Sequence, residues 1–159
     1  MLALIMVLAM VPTVAFAEEP KTIYVDATKG DDTKGKGTET EPYKTVEAAA
    51  KAATSGDTIT LGEGKYTLYK IPSTDTTKGK NLTFVGQGAD KTGWNIGAEV
   101  PDPANFGTEY NGDYSFDGAG TITFRNMTLQ SGTADYLGFI RADKTVVEGC
   151  IINGKTFYW

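Results

Sequence analysis

Short apolar segments recur in this chain at a fixed shift, and that recurrence constrains the fold more than any other feature. Phe124, Met127 and Leu129 are followed 23 residues later by Val147, Cys150 and Ile152. Ile59 and Leu61 are followed at the same interval by Leu82 and Phe84. Phe84 to Phe124 is 40 residues, which reads as two shorter turns of the same unit. A repeating unit of this size, carrying two or three short strands, cannot bury its apolar face alone and must stack on its neighbours as a solenoid. Ordinary strands of a sandwich would instead place turns every ~8–12 residues. The composition agrees with strands: 23 threonines and 19 glycines among 159 residues supply β-branched side chains for pleated surfaces and glycines for the turns between them. An all-α bundle is excluded on the same ground.

The segments are legible one by one. Thr22-Ile23-Tyr24-Val25-Asp26 reads as a strand, and residues 28–41 (TKGDDTKGKGTETE) as a long polar loop closed by Pro42. Residues 43–54 (YKTVEAAAKAAT) predict the one convincing helix of the mature protein. Val46, Ala49, Ala50 and Ala53 form an apolar stripe at helical spacing, Glu47 and Lys51 pair at i, i+4, and Gly56 stands just past the end. Strands are then expected at 57–61, 65–68, 81–85, 121–124, 127–129, 145–147, 150–152 and 156–159. Residues 91–119, carrying Trp94, Pro101 and Pro103, read as an insertion or irregular loop.

Residues 1–17 (MLALIMVLAMVPTVAFA) carry no charge and fall short of the ~20 apolar residues that span a bilayer. Ala15-Phe16-Ala17 followed by Glu18-Glu19 matches a signal-peptidase site, so the sequence predicts export and a mature chain beginning at Glu18. No basic residue precedes the apolar run, so either the signal is atypical or Met1 is internal to a longer product. The organisation expected is a signal peptide over 1–17, a strand, loop and capping helix over 18–56, and the first coils of a solenoid over 57–159. The terminal Thr156-Phe157-Tyr158-Trp159, with nothing polar after it to cover a last coil, leads us to expect a fragment truncated at its C-terminus, with further coils of the same protein as its partner.

Several functions are excluded by composition. With no histidine, Ser-His-Asp and Cys-His nucleophilic machinery and histidine zinc sites are absent. The single Cys150 allows no internal disulfide and reads as a small buried hydrophobe. A net charge of −5 and a pI near 4.7 argue against nucleic-acid binding. No membrane span remains once the signal is removed.

The order of elements resembles the secreted right-handed parallel β-helix proteins of the pectate-lyase-like superfamily, specifically bacterial members with an N-terminal capping module. The resemblance is carried by Ile23-Tyr24-Val25-Asp26, Gly30-Asp31-Asp32, Pro42-Tyr43-Lys44-Thr45-Val46, Ser55-Gly56-Asp57-Thr58-Ile59, Gly64-Lys65-Tyr66 and Asn81-Leu82-Thr83-Phe84-Val85-Gly86-Gln87-Gly88. It covers residues 22–90 and, more loosely, 120–155. It implies an all-β right-handed parallel β-helix whose first coil is capped by the alanine-striped helix, at an extracellular or cell-surface location. It also implies a polysaccharide or surface glycan as partner. Related lyases use Ca2+-binding acids with an arginine or lysine base, and related hydrolases use clustered aspartates, but no such set can be matched here residue by residue.

The candidate residues follow from chemistry. Asp26, Asp31 and Asp32 offer the loop carboxylates a Ca2+ ion prefers, against a plain turn role. Arg125, Arg141 and Lys144 lie near acids and offer a base for proton abstraction, against a solvated charged face. Trp94, Tyr110, Tyr114 and Tyr136 offer aromatic faces for sugar rings, against covering the solenoid. Asn81-Leu82-Thr83 and Asn126-Met127-Thr128 match glycosylation sequons but fall within expected strands. The expected function is therefore a non-catalytic, adhesin-like scaffold for carbohydrate interaction. Its rivals are the N-terminal part of a polysaccharide lyase or glycoside hydrolase with its active site beyond residue 159, and a β-sandwich carbohydrate-binding module.

Overall fold

The computed structural model describes residues 18–67, 76–95, 114–116, 118–130, 136–140, 142–153 and 155–158. The leader at 1–17, Tyr110 and Arg141 lie outside them. Within these residues the elements run β1 (Thr22–Val25), α1 (Val46–Ala52), β2 (Thr58–Leu61), β3 (Gly64–Thr67), β4 (Leu82–Val85), β5 (Thr92–Asn95) and β6 (Tyr114–Ser115). They continue with β7 (Thr121–Arg125), β8 (Thr128–Gln130), β9 (Tyr136–Ile140), β10 (Lys144–Glu148), β11 (Ile151–Asn153) and β12 (Lys155–Tyr158).

Every pairing among them is parallel. Three sheets result, in the orders β1-β2-β4-β7-β10, β11-β8-β5-β3 and β12-β9-β6. Successive stretches of chain thus contribute one strand to each sheet in turn: β4, β5, β6, then β7, β8, β9, then β10, β11, β12. The parallel pairing excludes the β-sandwich binding module, which is built from antiparallel sheets.

Side-chain rows run across the strands. In the five-stranded sheet, Ile23, Ile59, Phe84, Phe124 and Val147 occupy one register position. The first four are buried and Val147 packs half-buried against them. One residue earlier, on the opposite face, Thr22, Thr58, Thr83 and Thr123 line up, which is where the threonine-rich composition goes. In the second sheet Tyr66, Trp94, Leu129 and Ile152 form the matching apolar row. Phe84, Phe116, Phe124 and Trp94 meet at the centre with ring centroids 5.0–6.3 Å apart.

Two register expectations are corrected. Ile59 pairs with Phe84, 25 residues on, rather than with Leu82 at 23. A slip of two residues keeps every side chain on its own face, so the apolar pattern alone cannot distinguish the two pairings. The 40-residue interval from Phe84 to Phe124 is one step between adjacent strands, not two turns. The stretch read as an insertion from 91 onward contains β5, with Trp94 fully buried in the core.

The helix is shorter than expected. Pro42 and Tyr43 stay extended because Tyr43 pairs with β1: its N–H donates to Tyr24 O at 3.0 Å, and its own O accepts from Asp26 N at 2.9 Å. Thr45 is then the N-cap, its Oγ1 accepting from Ala48 N at 3.2 Å. Val46, Ala49, Ala50 and Ala53 are all buried, so the alanine stripe lies on the sheet as the periodicity predicts. Lys80 Nζ donates to Ala50 O at 3.3 Å near the helix C-terminus, and burial pulls its pKa below the ordinary lysine value against the attraction of Asp57.

Candidate functional site

A cleft of about 440 Å³ opens on the outer face of the five-stranded sheet, beneath the loop that joins β1 to α1. That volume falls in the ordinary range for small-ligand sites, roughly 300–1,000 Å³. Tyr24 on β1 and Thr60 on β2 line it, together with Asp26, Lys29, Glu39 and Thr40 from the loop. Gln87 joins the lining from the corner between β4 and β5.

The loop owes its shape to a five-residue unit used twice, Asp26-Ala27-Thr28-Lys29-Gly30 and Asp31-Asp32-Thr33-Lys34-Gly35. In the first, Asp26 Oδ1 accepts from Thr28 N and Lys29 N, both at 2.9 Å, and Asp26 O accepts from Gly30 N at 2.8 Å. The second repeats this: Asp31 Oδ1 accepts from Thr33 N at 2.8 Å and Lys34 N at 2.9 Å, and Asp31 O accepts from Gly35 N at 2.8 Å. Glycine is required at the fifth position because a Cβ there would overlap the carbonyl of Tyr43 at Gly30 and that of Asp31 at Gly35. Asp32 turns the other way. Its Oδ1 accepts from Lys44 N and Thr45 N, and its Oδ2 from the Thr45 hydroxyl, so it steadies the residue that caps α1.

This arrangement gives the metal expectation no support. Asp26, Asp31 and Asp32 do not converge, and among the described residues no cluster of three acidic, cysteine or histidine side chains is placed to hold a metal. Their oxygens take backbone N–H donors, the role of a turn-forming aspartate. Ca2+ therefore does not fit these residues as a group. The Lys29 N–H lowers the Asp26 pKa most, partial burial opposes it, and the Thr28 N–H and the Lys29 charge add to the lowering. Asp26 is thus ionised at neutral pH, and among the described residues its Oδ2 accepts no hydrogen bond.

The other candidates disperse. Arg125 Nε donates to Glu148 Oε2 at 2.5 Å across adjacent strands in an exposed ion pair. Lys144 is exposed at the start of β10, four register positions from Glu148, and among the described residues no ion pair holds it. Neither forms a nucleophile–base or acid–base constellation. Trp94 is enclosed by Phe84, Phe116 and Phe124, so its ring offers no face to a sugar; large aromatic area drives it into the core. Tyr114 and Tyr136 open β6 and β9 of the third sheet, away in sequence and sheet from the cleft.

Of the residues that line the cleft, sequence reasoning singled out Asp26 alone, and for a different role. The tandem Asp-x-Thr-Lys-Gly unit was the available signal for its wall. Gln87 was visible only as the middle of Gly86-Gln87-Gly88. Its Nε2 donates to Leu61 O at 3.0 Å and its N–H to Thr92 Oγ1 at 2.9 Å, so the side chain is tethered with its carbonyl oxygen left as an acceptor. The cleft therefore combines an ionised carboxylate oxygen, a tethered amide, a threonine hydroxyl, a lysine and a tyrosine ring. Such a set offers hydrogen-bond acceptors, a donor and one aromatic face. No family model matches the chain, and no curated protein matches it.

Proposed function

We propose that this chain is an exported right-handed parallel β-helix scaffold that binds an extracellular or cell-surface carbohydrate in the cleft beneath its β1–α1 loop, without catalysing a reaction of its own. The three parallel sheets, supplied in rotation by successive segments, support the β-helix reading. The crossovers between parallel strands of one sheet are then right-handed, as in about 98% of such connections. The observation that carries the binding role is the cleft itself, where Asp26, Thr60, Gln87 and Tyr24 meet on a rigid sheet. Export rests on the Ala15-Phe16-Ala17 pattern.

A panel of neutral and uronic oligosaccharides titrated into the isotope-labelled chain tests the reading. Amide shifts should concentrate at Tyr24, Asp26, Thr60 and Gln87, and Tyr24→Ala should weaken binding about ten-fold or more, the loss of one good stacking contact and its ordering. Shifts confined to other surfaces, or none with any sugar, would remove the cleft from consideration. Polygalacturonate incubated with the chain, with or without Ca2+, should yield no unsaturated product by ultraviolet absorbance.

A further inference from the structure

The hydrogen-bond donors around Gly62, one of the residues lining the cleft, are already engaged by backbone carbonyls. Gly62 N donates to Val25 O at 2.8 Å, and Gln87 Nε2 donates to Leu61 O at 3.0 Å. The Thr92 hydroxyl donates to Gly62 O at 3.0 Å. The Tyr66 hydroxyl has Val25 O and Gly62 O, each at 3.2 Å, as acceptors for its single proton. What is left beside them accepts. Asp26 Oδ1 is taken by the N–H groups of Thr28 and Lys29, while among the described residues Oδ2 accepts no hydrogen bond. That oxygen stands 3.6 Å from where a side chain at residue 62 would begin. Glycine there leaves room for a ligand atom against the carboxylate.

We infer that the cleft takes the ammonium group of an amino sugar with a free amine, seated on Asp26 Oδ2, in preference to an N-acetylated, neutral or uronic sugar; the inference rests on the carbohydrate reading proposed above. An ammonium brings three donors and no acceptor, which suits a place where the protein's own donors are engaged and its acceptors are open. The contact is a charge-assisted hydrogen bond, the stronger kind. The Gln87 carbonyl oxygen is a further acceptor, and the Tyr24 and Thr60 hydroxyls accept as readily as they donate. The charges of the lining point the same way: Asp26 and Glu39 stand against Lys29 alone. On the same loop, Lys36 and Glu41 hold each other at 2.8 Å. Lys29 and Glu39 are exposed and screened by water, whereas Asp26 is half-buried, so its charge acts most strongly on what enters. A uronic carboxylate would bring acceptors to acceptors and a negative charge to an acidic cleft.

Oligomers of glucosamine, N-acetylglucosamine, glucose and galacturonic acid are titrated into the isotope-labelled chain at about pH 6, where an amine is protonated and a carboxylate ionised. The glucosamine oligomer should bind about ten-fold or more tighter than the other three, with amide shifts centred on Asp26, Gly62 and Gln87. Asp26→Asn keeps an oxygen for the Thr28 and Lys29 N–H groups and should bring the glucosamine oligomer down to the level of its acetylated counterpart. Gly62→Ala is the second variant. Its Cβ meets Val25 O and the Tyr66 hydroxyl at 3.4 Å, ordinary contact, while its methyl group fills the space against Asp26 Oδ2, so the same preference should fall. Asp90→Asn removes an exposed charge outside the cleft and should leave the preference within about three-fold of wild type. Equal binding of all four oligomers at the cleft overturns the inference and leaves the carbohydrate reading standing, as does tightest binding of the galacturonic acid oligomer. A preference that survives both cleft variants, or that Asp90→Asn lowers as much as they do, overturns it as attraction to an acidic protein at large. Shifts at the cleft with none of the four remove the carbohydrate reading and the inference together.

Discussion

Asp57 shows how one side chain ties three segments together. It is fully buried, with Oδ1 accepting from Lys21 N at 2.9 Å and Oδ2 from Thr54 N at 2.7 Å and Thr54 Oγ1 at 3.1 Å. It therefore joins the residue before β1, the end of α1 and the start of β2. Burial pushes its pKa up, but the N–H groups of Lys21 and Thr54, the Thr54 hydroxyl and the Lys21 charge together hold it below the ordinary carboxylate value. Because folding lowers this pKa, its stabilisation is complete well above the unfolded value of about 3.9 and is lost as pH falls through the folded value. Asp57→Ala should destabilise the chain by about 1–3 kcal/mol at pH 7, since it orphans buried donors. The deficit relative to wild type should shrink below pH 4, as chemical denaturation across pH would show. Trp94 supplies a second residue-scale prediction. Its Nε1 is buried and, among the described residues, finds no hydrogen-bond partner. Trp94→Phe removes that unmet donor while leaving most of the ring volume, so it should cost less than about 1.5 kcal/mol, whereas Trp94→Ala should cost about 3–5 kcal/mol. Equal losses in the two variants would contradict this account.

Among the elements, α1 has a role larger than its seven residues. It is too short to persist alone, so its stability comes from the buried stripe and from the Asp32–Thr45 cap. Ala50 is fully buried, and Ala50→Asp should destabilise the protein by at least about 1–3 kcal/mol through an unpaired buried charge. An unchanged unfolding midpoint would mean the helix covers nothing. The corners between the first two sheets show a complementary economy. Asn126 ends β7 at φ 53°, and Gly149, 23 residues later, ends β10 at φ 61°. One left-handed residue turns the chain from the first sheet to the second in both rungs, and asparagine and glycine are the types that enter that region most readily.

At the scale of the whole molecule, the rows of stacked residues make stability depend on position along the stack. A residue in the middle has a rung on each side, and one at the last rung has only one. Among the described strands of the five-stranded sheet, hydrogen exchange should therefore be slowest in β2, β4 and β7, each of which has a strand on both sides. Uniform protection across these strands would show a single cooperative unit with no dependence on position.

The strand content, the existence of the helix and its buried stripe were determined by local sequence, because β-branched alternation and i, i+3, i+4 spacing act within one element. The 23-residue step from Phe124 and Leu129 to Val147 and Ile152 was legible for the same reason: two consecutive rungs have equal length. Tertiary structure alone decided what unequal rungs do. It set Ile59 against Phe84 rather than Leu82, turned a 40-residue interval into one step, and drew Trp94 out of an apparent loop into the core. The cleft was decided in the same way. Tyr24, Glu39, Thr60 and Gln87 lie far apart in the chain and share no motif. Only the parallel stacking of β1, β2 and β4 brings Tyr24, Thr60 and the corner carrying Gln87 onto one side of the sheet, with the loop folded over them. The aspartates that looked like ligands were local after all, since a short acceptor two or three residues from backbone N–H groups meets them before it can meet an ion.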